Sequence, residues 1–313
     1  MIAYFLAVHK NPQQVARLMN VIYSSNDNFY INIFGADSIK KVEAWKKFLH
    51  PFNEDNVFFS FNYSLSHGTI GQVGATIDAM QYFADVHYSH FINLSGQCYP
   101  VKPIRSIKET LSKSKFSFLD YCEMPDYCSY SKNKKNYQNT EMQGFLNRFD
   151  YRYYPVPRFL VDSVRKLRNR KSDKSVFIRI PRIQKKILCS FRLYCGSNWF
   201  CLHKDHIKYI LDFLKDNPDY LHFFSTVLNP DEEFFHIILL NSSLKDQIIN
   251  DNLRYISWDH PTGSPVILTL NHFDNIIESQ KLFARKFDTE IDTRVLDAID
   301  LHLNSTGPDS LPD

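Results

Sequence analysis

Ile2-Ala3-Tyr4-Phe5-Leu6-Ala7-Val8, closed by Lys10-Asn11-Pro12, is the stretch on which the fold turns. Seven uncharged residues in a row fit a strand buried on both faces, and the Asn-Pro pair behind them is a turn signal. Working outward, Val15, Leu18, Met19 and Ile22 recur at helical spacing. Residues 29–34 then read as a second strand, 39–49 as a helix, 57–61 as a third strand, 70–83 as a long helix and 91–94 as a fourth strand. Strands alternating with helices imply a parallel sheet with helices on its faces, so the predicted fold class is α/β with a mostly parallel central sheet. In such sheets ligands bind beyond the carboxyl ends of the strands. Those ends are marked by His9-Lys10-Asn11, Gly35-Ala36-Asp37 and Ser95-Gly96-Gln97.

At 313 residues the chain is long enough for a large core, and 44% apolar with 23% charged residues is ordinary globular composition. Twenty-six Phe and 18 Tyr suit a deep core and also sugar-stacking surfaces. Only nine glycines, with no Gly-rich phosphate loop, argue against a dinucleotide or P-loop fold. The cysteines, Cys98, Cys122, Cys128, Cys189, Cys195 and Cys201, form no CxxC pair, so they are expected as free thiols in a reducing compartment. Eight apolar residues precede His9, too few for a membrane span, and no later run reaches about 18. The expected location is cytoplasmic, or peripheral at the inner face of a membrane.

The middle of the chain, about 121–190, changes character. Tyr, Asn and Lys crowd 127–139, which suggests an irregular polar insertion. Residues 165–186 carry ten Lys/Arg against one acid, Asp173. That run reads either as a solvated helix and loop or as a surface for anionic lipid headgroups or a phosphate-bearing acceptor. Nucleic acid is not expected, since net charge is only +3 and no binding motif accompanies the patch. A helix follows over 204–214, strands over 254–258 and 266–270, and a helix over 273–282 that runs on into 283–287. One domain, 1–303, with a disordered tail over 304–313, accounts for these segments.

Asn229-Pro230-Asp231-Glu232-Glu233 brings three carboxylates to the start of an apolar run, 234–240. Acids suit the positive end of a helix, and an acid held against apolar surroundings also suits a general base; both readings stand. His9 and His67 lie near strand ends and read either as site-lining or as ordinary satisfied histidines. Asp288-Thr289-Glu290-Ile291-Asp292 alternates acids, which solvation explains better than a metal.

Five segments together resemble one family: Ile92-Asn93-Leu94-Ser95-Gly96-Gln97-Cys98-Tyr99-Pro100, Gly196-Ser197-Asn198-Trp199-Phe200, Asn229-Pro230-Asp231-Glu232, Arg254-Tyr255-Ile256-Ser257-Trp258 and Leu282-Phe283-Ala284-Arg285-Lys286-Phe287-Asp288. In this order and spacing they resemble the core-2/I-branching β-1,6-N-acetylglucosaminyltransferases, a family that includes peptide O-xylosyltransferases. The resemblance implies a GT-A-like glycosyltransferase: an inverting, metal-independent enzyme with no cofactor, using a UDP-sugar donor, N-acetylglucosamine before xylose. The acceptor it implies is a glycan, lipid-linked or not, with residues 165–186 facing an anionic membrane. By the same resemblance Glu232 is the general base and Lys286 contacts the donor diphosphate.

The chemistry fits these residue types. A carboxylate deprotonates the acceptor hydroxyl as it attacks, and a cation offsets charge on the departing diphosphate. The family's second diphosphate arginine has no counterpart at Gly263-Ser264-Pro265-Val266, which leaves Arg254 or Arg285, or a metal, to replace it. Val8 and Asp37 correspond to nucleotide contacts, although Asp37 equally fits a helix N-cap. Ser95, Gly96, Gly196, Ser197 and Trp199 are expected along the donor and acceptor cleft, Trp199 either stacking on a sugar or packing in the core. The family's disulfide cysteines are not recognisable here. Two rival functions are a non-catalytic glycan- or nucleotide-binding protein on the same fold, and a glycoside hydrolase, for which no second acid stands out.

Overall fold

A computed structural model describes residues 1–35, 39–52, 55–63, 68–133, 139–156, 161, 176–183, 186–258 and 264–305. Asp37, His67 and most of the basic run, residues 165–175 and 184–185, lie outside these described residues. So does the expected tail from 306 onward; its first two residues complete the last helix, Arg294–Ser305.

The alternation at the N-terminus builds the expected sheet. Strands β1 (Ile2–Val8), β2 (Asn28–Ile33), β3 (Val57–Ser60) and β4 (His90–Ser95) pair in parallel, with β1 between β2 and β4. Helices α1 (Pro12–Ile22), α2 (Ile39–Leu49) and α3 (Gly71–Tyr82) connect them. Every residue of β1 is buried. Because side chains alternate, Ala3, Phe5 and Ala7 enter one core while Ile2, Tyr4, Leu6 and Val8 enter the other. This explains why β1 reads as a continuous apolar run rather than an alternating one.

The sheet then departs from pure parallel order. Strand β5 (Cys98–Pro100) leaves it, and β6 (Ser117–Glu123) returns to it across β9 (Tyr194–His203), which is antiparallel to both β4 and β6. A short edge strand, β10 (Ile248–Ile249), completes the order β10-β6-β9-β4-β1-β2-β3. The pairing of β4 with β9 stops at Ile92 and Cys201. Past that point the Asn93 side chain takes over, its Nδ2 donating to the Asn198 carbonyl (2.6 Å) and its Oδ1 accepting from Phe200 N–H (2.7 Å). A side chain in place of a ladder marks where the two strands diverge beyond this pairing.

Some expectations give way. Residues 266–270 are extended but form no strand: Val266 N–H bonds Ser257 and Leu268 N–H bonds Lys286, one contact to each neighbour. The helix at 273 is short, Phe273–Glu278, and ends where Ser279 turns its hydroxyl back onto the Ile276 carbonyl (2.6 Å). Residues Phe283–Arg285 are therefore not helical. They form β12, central in a second sheet between β11 (Arg254–Ile256) and β5.

The described residues of the middle region form regular elements that its polar composition does not suggest. It contains α5 (Tyr127–Asn133), α6 (Thr140–Arg148) and the antiparallel ribbon β7–β8 (Tyr151–Pro155 and Phe177–Pro181). Cys128 and Cys189 are bonded as a disulfide, with Cα atoms 6.0 Å apart. The expectation of six free thiols is thereby corrected, and with it the argument for a reducing compartment; Cys98, Cys122, Cys195 and Cys201 remain free. Spacing along the chain cannot reveal a pair 61 residues apart that only the fold brings together. No described helix is long and apolar enough to cross a membrane.

Gly196 is required by β6. A Cβ there would lie 2.0 Å from the Asp120 carbonyl oxygen, where the β6–β9 register shifts. A Gly196→Ala variant should lose about 2–3 kcal/mol in a urea unfolding titration, because backbone rather than a side-chain tip has to move. An unchanged midpoint and slope would show that the strands separate freely at this point.

Candidate functional site

The acidic motif is shaped by one turn. Asn229 adopts a left-handed conformation (φ 50°), and its N–H bonds the Gly68 carbonyl at 3.0 Å. Pro230–Glu232 then makes a single 3₁₀ turn packed against β9 and α3, before the buried helix Phe234–Leu240 begins. The acids thus occupy the turn ahead of the helix rather than its first turn.

Arg148, at the end of α6, closes over them. Its Nη1 donates to Glu232 Oε2 at 2.6 Å and to Glu233 Oε1 at 2.8 Å, while its guanidinium lies 4.3 Å from the Phe145 ring. Glu233 is wholly buried; burial raises its pKa well above the usual carboxylate range despite Arg148, and its Oε2 has no partner among the described residues. Burial, then repulsion from Glu232, raises Asp231 to about 7. Glu232 keeps a third of its side chain exposed (33%). It is the carboxylate Arg148 both orients and leaves open to solvent.

A cationic cluster forms at the carboxyl end of β1. The backbone after β12 is stitched to the first turn of α1: Gln14 Nε2 donates to the carbonyls of Gly96 (2.8 Å) and Phe287 (3.1 Å), and Gln14 Oε1 accepts from Thr289 N–H (2.9 Å). Asn11 Nδ2 adds a bond to Thr289 Oγ1 (2.6 Å). These contacts carry Lys286 beside Lys10, whose Nζ lies 2.5 Å from Asp288 Oδ2. Burial, then the charges of Arg285 and Lys10, lowers the Lys286 pKa. Its ammonium makes no hydrogen bond or ion pair among the described residues. Arg285 sits over the Trp199 ring (4.3 Å) with Nε unpartnered, and burial lowers its pKa.

Other expected positions find different employment. Arg254, 3% exposed, donates to the carbonyls of Asn93 (2.8 Å), Phe200 (3.1 Å) and Asn252 and to Cys201 Sγ (3.2 Å). It is a buried tie between strands, so its guanidinium is committed before any diphosphate arrives. Trp199 is buried, with the Arg285 guanidinium over one face of its ring. Ser95 is buried, its hydroxyl against Cys98 Sγ and Gln97 N–H. Gly96 is small because a Cβ would meet Val15 of α1 at 2.6 Å. Val8 is buried at the end of β1, its carbonyl accepting from Phe34 N–H. Asp288 and Asp292 are buried and hydrogen-bonded, which corrects the solvated reading of that acidic stretch.

A cavity of about 270 Å³ opens beside Ser197, lined by Asp120, Asp251, Arg254, Trp258 and Lys281 among others. Lys281 pairs with Asp251 (2.7 Å), and burial, then Asp251, raises the Asp120 pKa. Lys10 was marked only by its place at the end of the first strand, and Arg148, Asp120 and Lys281 carry no sequence signal that singles them out. Only Trp258, at the end of the Arg254–Trp258 motif, was open to discovery. Among the described residues no three His, Cys, Asp or Glu side chains gather as a metal site.

The family model of the Core-2/I-Branching enzyme matches residues 2–277. The chain belongs to that family. Among its relatives, xylosyltransferase 2 of Canis lupus familiaris is 24% identical over 339 residues, covering 99% of this chain and 34% of its own length. The human xylosyltransferase 2 is 23% identical with the same coverage. Beta-glucuronosyltransferase GlcAT14A of Arabidopsis thaliana is 35% identical over 143 residues, 45% of this chain and 31% of its own. The chain spans about a third of the length of the curated relatives it matches. Within this Core-2/I-Branching member the mixed sheet is consistent with a GT-A-like arrangement, with the acidic turn against β9 and the cations at the end of β1.

Asp231 makes its environment measurable. Folding lifts its pKa from 3.8 to about 7, so the stability it contributes is full below about pH 4 and is lost as pH rises through 7. Asn cannot ionise and escapes that loss. Thermal unfolding of Asp231→Asn should show no gain over wild type below about pH 4 and a Tm a few degrees higher above pH 7. A difference independent of pH would mean that Asp231 is not held in its neutral form.

Proposed function

We propose that this chain is an inverting glycosyltransferase domain, residues 1–303 acting as one unit, that moves a sugar from a UDP-sugar to a glycan hydroxyl. Family membership supports the reaction class, and the observation that carries the assignment is Glu232, partly exposed and aimed by Arg148 beside two acids held toward their neutral forms. Glu232 takes the acceptor proton as the hydroxyl oxygen attacks the anomeric carbon; UDP leaves from the opposite face with the bonding electrons, and the configuration inverts. In this reading Lys286 and Arg285 offset the charge developing on the leaving diphosphate and take the part a metal would otherwise play. Xylose is the leading donor sugar, because the xylosyltransferase relatives align along 99% of the chain; N-acetylglucosamine and glucuronic acid are the other arms of a donor screen. The acceptor is a glycan, and the basic residues of 165–186 suit an anionic membrane face that would present it lipid-linked, apart from Arg182, which is buried and donates to the Phe223 carbonyl and Thr226.

Transfer measured with each UDP-sugar, with and without EDTA, tests the reading. Turnover that survives EDTA agrees with it, while UDP binding without turnover on any acceptor would favour a non-catalytic binder. Glu232→Gln should lower kcat by about 10²–10⁴-fold with UDP binding retained. Near-normal turnover would move the base elsewhere. In calorimetric titration, Lys286→Ala should weaken UDP about tenfold or more, and an unchanged affinity would remove Lys286 from the donor site.

A further inference from the structure

Three cations meet where β1 ends and β12 passes: Lys10, Arg285 and Lys286. The acid that faces them is Asp288, bonded through Oδ2 to Lys10 and through Oδ1 to Glu290 N–H at 3.2 Å. Among the described residues positive charge therefore exceeds negative by two at this corner, and Lys286, its pKa lowered first by burial, is lowered further by Arg285 and Lys10. Like charges packed together lower stability unless an anion joins them. The place is the carboxyl end of a parallel strand, where α/β sheets bind ligands.

Lys10 differs from its neighbours in being both fixed and open. Asp288, 7% exposed, anchors the ammonium, yet 39% of the Lys10 side chain remains in solvent. An ammonium has three N–H donors, and Asp288 occupies one of them. The position of Asp288 is in turn set by the stitched segment that carries Thr289, bonded to Gln14 and Asn11 of the α1 turn. An ion pair serving only to tie two segments would be redundant with those three bonds. It would also not require a third cation alongside.

We propose that Lys10 is a second diphosphate-binding cation, which with Lys286 brackets the two phosphates of the UDP donor across Asp288. The assignment rests on the UDP-sugar reading above and adds to it the group that accompanies Lys286. Each lysine faces one ionised phosphate, and the excess positive charge is offset only when the nucleotide is bound.

Calorimetric titration of the wild-type protein and of Lys10→Ala with UDP and with uridine tests this. The expected result is about tenfold weaker UDP binding in the variant, unchanged uridine binding, a shallower loss of UDP affinity with added salt, and recovery to within about threefold in Lys10→Arg. Should Lys10→Ala fail to fold with Asp288 left unpaired, the double variant Lys10→Ala/Asp288→Asn removes both charges and should show the same loss. A folded variant that binds UDP as tightly as wild type overturns the clamp while leaving the donor reading intact. Equal weakening toward UDP and uridine overturns it too, because the defect is then structural. A wild-type protein that binds no uridine nucleotide overturns the donor reading and the clamp together.

Discussion

Gln14 is a buried amide, and two of its three side-chain hydrogen bonds join segments more than 270 residues apart. Its amide nitrogen holds the carbonyls of Gly96 and Phe287, and its oxygen holds Thr289. Gln97 repeats the pattern, exchanging backbone and side-chain bonds with Phe287 (2.9 and 3.1 Å). Without these contacts the carboxyl ends of β1 and β4 would carry unsatisfied polar groups, and β12 would have no fixed position along the sheet. Buried amides tolerate little displacement, since each lost bond leaves a desolvated group. The cations of the donor corner inherit their geometry from that constraint.

At the acidic turn the governing quantity is charge rather than hydrogen bonding alone. One guanidinium serves two glutamates while a third acid lies adjacent. Three carboxylates in partly buried space cannot all ionise around a single positive charge at acceptable cost, so burial pushes Asp231 and Glu233 toward their neutral forms. Glu233 is sealed from water, while Glu232 still reaches it. The two corners thus carry opposite electrostatic problems: an unmet positive excess at Lys10 and Lys286, and a negative cluster held by Arg148. In the proposed function a sugar nucleotide would answer the first and an acceptor hydroxyl the second.

The first four strands were legible because a doubly buried parallel strand must be apolar throughout, and Ile2–Val8 has no other reading. The Gly196–Phe200 and Phe283–Phe287 segments were visible as motifs but not as strands. Gly196 exists for the Asp120 carbonyl, and Phe283–Arg285 pairs with strands that begin 29 residues before it and end at Pro100. Short strands whose partners lie far away leave no periodicity to read. The same blindness hid the Cys128–Cys189 bond and the burial of Arg254, whose three carbonyl partners come from three different segments.

By itself the sequence determined the α/β class, the family, and the residue types that the proposed chemistry needs, because apolar runs and contiguous motifs are local properties of the chain. The tertiary structure alone decided that Glu233 is sealed while Glu232 keeps contact with solvent, that Arg148 from a polar insertion orients both, and that Lys10 stands beside Lys286. Those outcomes depend on distances between groups remote in sequence and on how much water each retains, and neither quantity exists until the chain has folded.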